Sequence, residues 1–78
     1  MIIEILGSGC ANCKKLEQNA AEAANAAGIS AEVRKVQDME KILEYGVMMT
    51  PGLVIDGKVK SVGKVLTKSE IINLLKEE

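Results

Sequence analysis

The chain has 78 residues, with ten Lys and Arg against eleven Asp and Glu for a net charge of −1; a chain this short buries only roughly 60% of its unfolded surface, enough for one small core. It has no lysine/arginine cluster and a single aromatic residue, Tyr45, which excludes both the electrostatic footprint and the stacking platform of a nucleic-acid binder. The start, Met1-Ile2-Ile3-Glu4-Ile5-Leu6, lacks a basic n-region and a long apolar stretch, so no signal peptide or membrane span is read there, and the expectation is a cytoplasmic protein with one domain over residues 1–78.

Met1 to Leu6 predicts a buried strand, and Gly7-Ser8-Gly9 the loop after it. From Cys10 to about Ala27 a 3.6-residue period places Cys13, Leu16, Ala20, Ala23 or Ala24, and Ala27 on one face of a helix, with Lys14, Lys15, Glu17 and Glu22 outside it. Gly28 supplies the stop. Ala31 to Val36 predicts a second strand, and its Glu32, Arg34 and Lys35 suit a sheet edge, parallel to the first strand through a right-handed crossover. Asp38 is placed to cap a short helix with Met39, Ile42 and Leu43 as its apolar positions and Gly46 as its end. Val47 to Thr50 then predicts a loop. Gly52 to Ile55 and Lys58 to Val62, joined by Asp56-Gly57, carry the clearest hairpin signal in the chain. After Gly63 to Leu66, Thr67 and Glu70 are spaced as a capping box for a last helix with Ile71, Leu74 and Leu75 as its stripe.

The chemistry begins at Cys10-Ala11-Asn12-Cys13. A strand that delivers a C-x-x-C to a helix N-terminus exposes the first sulfur to unpaired backbone N–H groups and to the positive end of the helix dipole, and both favour thiolate, the nucleophile of disulfide exchange. Lys14 and Lys15 add positive charge in the same turn. Cys10 is therefore the candidate nucleophile. Cys13, one turn on, is the candidate resolving thiol that releases substrate and closes a Cys10–Cys13 disulfide. In a compartment where thiol pools keep ordinary disulfides reduced, such a pair is catalytic or metal-binding more often than a structural staple.

Strand, helix, strand, helix, strand, strand, helix, with this C-x-x-C after the first strand and Thr50-Pro51 before the third, resembles the thioredoxin superfamily over essentially the whole chain, and most of all the small glutaredoxin-like thioredoxins, or redox-active disulfide proteins, of archaea and bacteria. The resemblance implies the minimal thioredoxin fold, an α/β arrangement of a four-stranded mixed sheet flanked by three helices. It implies a thiol–disulfide oxidoreductase without bound cofactor, acting on protein disulfides as a monomer and receiving electrons from a thioredoxin-reductase-like or other dithiol donor. The residues alone favour a trans Thr50-Pro51 bond, since X-Pro bonds are cis in only about 5–6% of cases. The resemblance implies a cis bond packed against the disulfide, with the Thr50 backbone offered to an extended substrate segment. Gly63 matches a family glycine that lets backbone approach the site, and equally could only end a strand. Met48 and Met49 could form an adaptable apolar rim or belong to the core. Glu4, six residues before Cys10, matches the offset of a buried aspartate of thioredoxin proper that serves the resolving thiol as proton acceptor; strand alternation alone would point it to a thinly covered, wet face of the sheet.

Three departures matter. Gly7-Ser8-Gly9 stands where thioredoxin proper has tryptophan before its first cysteine, and Ala11-Asn12 replaces the dipeptides of better-known members, so the reduction potential does not carry over. No Gly-Gly-Asp-type clamp follows Val62, which turns the reading from glutathione towards protein substrates. The rival from another class is a heavy-metal-associated domain holding Cu(I) on the same two thiolates. That family has methionine two residues before the first cysteine, where this chain has Ser8, and ends on a strand, where Ser69 to Glu78 reads as helix. A zinc site would need four Cys or His ligands, and two cysteines with no histidine leave no metal site expected.

Overall fold

The computed structural model describes residues 1–7 and 9–77; Ser8 of the predicted loop and Glu78 of the predicted last helix lie outside the described residues. The elements run β1 (Ile2–Leu6), α1 (Ala11–Ala26), β2 (Glu32–Val36), α2 (Met39–Glu44), β3 (Gly52–Ile55), β4 (Lys58–Val62) and α3 (Lys68–Glu77). This is the expected α/β order, within one residue at the predicted strand and helix starts. The four strands form one mixed sheet in the order β2-β1-β3-β4, with β2 parallel to β1 and the other pairs antiparallel. The charged strand β2 is indeed an edge.

Local chemistry explains the element ends. Gly28 and Gly46 take φ of 68° and 76° just after α1 and α2, the left-handed conformation that ends a helix and that glycine adopts without a Cβ penalty. Asp38 caps α2 by accepting the Glu40 N–H at 3.0 Å. Thr67 and Glu70 close the capping box of α3 in both directions, at 3.0 and 3.2 Å. Asp56 and Gly57 both have positive φ, 49° and 83°, as a two-residue turn between strands of native twist requires. Asp56 also ties the hairpin to the start of β1, exchanging two 2.8 Å bonds with the Ile2 backbone.

Strand alternation divides the core in two. On one face Ile3, Ile5, Leu53 and Ile55 pack against Leu16, Ala20, Ala23 and Ala24 of α1 and against Ile71 and Leu75 of α3. The alanines of α1 let its backbone come close to the sheet. On the other face Leu6, Val36 and Val54 meet Ile42 and Val47, with Tyr45 at the margin. Here one expectation is corrected. Met39 and Leu43, read as apolar-face residues of α2, are 59% and 53% exposed. A six-residue helix makes fewer than two turns, so it presents one residue, Ile42, squarely to the sheet.

Candidate active site

Pairing of β1 with β3 puts Leu6 opposite Gly52. The chain leaving β1 towards α1 and the chain arriving at β3 from α2 therefore meet at one end of the sheet, and that register brings residues of the C-x-x-C and Thr50-Pro51 segments together.

Cys10 is the N-cap of α1, in extended conformation (φ −69°, ψ 170°), and its carbonyl accepts the Lys14 N–H at 3.0 Å. Its sulfur accepts the Cys13 backbone N–H at 3.4 Å and lies 2.8 Å from the Cys13 sulfur, both cysteines being free thiols. The two differ in every other respect. Cys10 is exposed and Cys13 is 5% exposed. Hydrogen bonds from the Cys13 thiol and then from the Cys13 backbone N–H hold Cys10 below the ordinary thiol range. Burial, followed by the hydrogen bond to Cys10, pushes Cys13 above it. The shift at Cys10 thus comes first from the Cys13 thiol and then from an orphan N–H of the helix start, while the exposed Lys14 and Lys15 are not among its causes.

Gly7, read from sequence only as part of a turn, lies against the second sulfur. It is buried, its N–H donates to the Val36 carbonyl at 3.0 Å, and a Cβ at this position would collide with the Cys13 sulfur and lie 3.6 Å from the Thr50 Cβ. Gly7, Cys13 and Thr50 therefore converge. The available signal was a glycine directly after a strand and just ahead of the C-x-x-C, where backbone must pass the second sulfur. Thr50 is exposed and its bond to the buried Pro51 is cis, the isomer that the residues alone disfavour. The Pro51 carbonyl accepts the Gly63 N–H at 2.8 Å; Gly63 has φ 72°, and a Cβ there would meet Met49 at 3.4 Å. Gly63 thus both leaves β4 and abuts the loop before β3. Met48 and Met49, 84% and 65% exposed, stand on that loop, outside the core.

Glu4 is placed elsewhere. It shares a sheet face with Leu6, opposite the face that carries α1, and its carboxylate accepts the Tyr45 hydroxyl at 2.7 Å beside Lys41 and Glu44. This hydrogen bond and burial raise the Tyr45 pKa. Glu4 is half-buried.

Among the described residues no three Cys, His, Asp or Glu gather as a metal-binding group, so the donor set near the helix start is two sulfurs. No helix is long and apolar enough to cross a membrane. Residues 1–76 match the model of a family described as thioredoxin domain. The chain is 49% identical over 75 residues to a thioredoxin of Methanothermobacter thermautotrophicus, covering 96% of this chain and 97% of that one. It is 37% identical over 76 residues to a thioredoxin of Methanocaldococcus jannaschii, covering 97% and 87%, and 32% identical over 71 residues to a second thioredoxin of that organism, covering 87% and 82%. With its sheet order, its paired thiols at a helix start and these relatives, the chain belongs to the thioredoxin family of thiol–disulfide oxidoreductases.

Proposed function

We propose that residues 1–78 act as one unit that reduces protein disulfides, with Cys10 as nucleophile and Cys13 as resolving thiol. The observation that carries this reading is the asymmetry of the sulfurs: one exposed and held towards thiolate by the Cys13 thiol and backbone N–H, the other buried and held as thiol. The Cys10 thiolate attacks a substrate sulfur, and the substrate's second sulfur leaves as thiolate. Cys13 then gives up its proton and attacks the Cys10 sulfur from one helical turn away, forming the Cys10–Cys13 disulfide and freeing the second substrate thiolate. A reductase or dithiol partner returns the pair to thiols.

The exposed Thr50, the buried Pro51 and Gly63 form the surface against which an extended substrate segment lies, with Thr50 offering backbone as an added strand would use it. Exposed Met48 and Met49 supply adaptable apolar contact beside it. Glu4 is left out of the exchange, since its carboxylate serves the Tyr45 hydroxyl on the opposite face of the sheet.

Trapping tests the roles. Cys13→Ser should accumulate stable mixed disulfides with a protein disulfide substrate, and Cys10→Ser should not. Equal trapping by the two variants overturns the assignment.

A further inference from the structure

A cavity of about 190 Å³ opens beside the first turn of α1, with Gly7, Cys13, Lys14, Glu17 and Lys35 among its lining residues and Cys10 absent from them. It has room for several water-sized molecules, and none for the polypeptide that reaches the exposed Cys10. Gly7 has no Cβ where one would collide with the Cys13 sulfur, so Gly7 presents no side chain to that sulfur. The charge of the lining is uneven. Two lysines, Lys14 and Lys35, line it against one acidic residue, Glu17, whose carboxylate lies 3.8 Å from the Lys35 ammonium. A small anion is favoured there over a neutral or cationic molecule of the same size.

We propose that the oxidised protein accepts hydrosulfide through this cavity and holds it as a persulfide on Cys13. The proposal rests on the reading that Cys10 and Cys13 form a disulfide during turnover. Hydrosulfide attacks the Cys13 sulfur and forms a new S–S bond; the Cys10–Cys13 bond breaks, and its electron pair leaves on Cys10 as thiolate. The disulfide is the oxidant, the incoming sulfur is oxidised, Cys10 is reduced, and the hydrosulfide proton stays on the terminal sulfur. Exchange runs faster when the departing thiol is the more acidic. Attack from the cavity expels Cys10, whose thiolate is held by the Cys13 N–H, whereas attack from outside at the exposed Cys10 must expel the buried Cys13. The cavity therefore directs a small sulfur nucleophile to the sulfur with the better leaving group. An acceptor thiolate can later take the terminal sulfur, with Cys13 leaving as thiolate.

The test treats the oxidised protein with one equivalent of sodium sulfide, quenches with iodoacetamide and locates the added sulfur by fragmentation mass spectrometry. The expected product carries one additional sulfur on Cys13, alkylated at its terminal sulfur, and an alkyl group on Cys10; glutathione under the same conditions should form its mixed disulfide on Cys10. Additional sulfur on Cys10, or a reduced protein that retains no sulfur, overturns the proposal. Lys35→Glu, a change at an exposed edge-strand position, should slow sulfide loading several-fold, and an unchanged loading rate removes the cavity as the route. Reduction of the same oxidised sample by dithiothreitol is the control: a chain that never forms the Cys10–Cys13 disulfide overturns the exchange reading as well, while a normal disulfide that does not load sulfide overturns only this inference.

Discussion

The two faces of the sheet are covered unequally, and the helix that carries the paired thiols packs on the better covered one. On one face two helices, α1 and α3, bury Ile3, Ile5, Leu53 and Ile55 under a continuous layer. The other face has a six-residue helix, a core of Leu6, Val36, Ile42, Val47 and Val54, and exposed Met39 and Leu43 outside it. The N-terminus of α1 has to hold Cys10 at a fixed distance from Cys13 and from the loop before β3, so the helix that positions it is the one fastened along its length by Leu16, Ala20, Ala23 and Ala24. Asn19 adds a 2.9 Å bond to the Leu66 carbonyl, linking α1 to the approach of α3. The thin face carries no such demand.

The sharpest break of this comparison is a pair of truncations. Leu16→Ala, at a fully buried position in the larger core, should cost about 3–5 kcal/mol, and Ile42→Ala in the smaller core about 2–3 kcal/mol, because a cavity under a short helix collapses more readily. A chain of this size has roughly 4–12 kcal/mol of stability in total, so the first variant approaches unfolding. Urea denaturation measures both. Equal losses would mean that the faces are energetically alike.

Gly7→Ala sharpens the comparison at the end of the sheet where α1 begins. The added methyl must displace the Cys13 sulfur, an overpacking expected to cost about 1–3 kcal/mol. Its larger effect should fall on resolution: stopped-flow mixing with a disulfide substrate should show release of the second substrate thiol slowed more than the first attack. Equal slowing of both steps would place the methyl's effect on the fold at large.

Most of the frame was legible because each element states its limits locally. Asp38, Thr67 with Glu70, Gly28, Gly46 and Asp56-Gly57 all act within a few residues of themselves, and the structure puts caps and turns where they stand. What was hidden is long-range. The closeness of Gly7 to Cys13 depends on how the chain folds back, and the Tyr45 hydroxyl meets Glu4 across 41 residues of sequence. The cis Thr50-Pro51 bond was legible only by resemblance, since the residues themselves favour trans. Met39 and Leu43 misled for a different reason: apolar spacing implies a buried stripe only when the helix is long enough to lay one down.

The sulfurs allow a pH test of the same contrast between an exposed and a fastened position. Cys10 should alkylate with iodoacetamide first, with a rate midpoint below the ordinary thiol value of about 8.5, and Cys13 should have its midpoint above it. Linkage gives opposite signs. The contribution of Cys10 to stability is full above the ordinary thiol value and lost as pH falls through its lowered folded pKa; that of Cys13 is full below the ordinary value and lost as pH rises through its raised folded pKa. From these two groups, the urea midpoint of the reduced protein should rise with pH up to about 8.5 and decline beyond it. A midpoint order reversed between the two cysteines would exchange their roles.

The smallest effects are expected on the thin face. Tyr45→Phe removes the donor to Glu4 at a site open to water, so both its stability loss and that of Glu4→Gln should be slight, with neither changing the rate of disulfide reduction. The useful measurement is the pH–rate profile of the resolving step. If Glu4 accepted the Cys13 proton, Glu4→Gln would slow that step and move its pH dependence while leaving attack by Cys10 nearly intact. Tyr45→Phe would perturb it too, since the hydroxyl is a hydrogen-bond donor to the same carboxylate. Superimposable profiles for wild type and both variants are the expected result, because strand alternation turns Glu4 to the side of the sheet away from α1, where its partner is a phenol. A profile displaced in Glu4→Gln and perturbed in Tyr45→Phe as well would mean that proton transfer crosses the sheet, and the thin face would then share in the chemistry of the thick one.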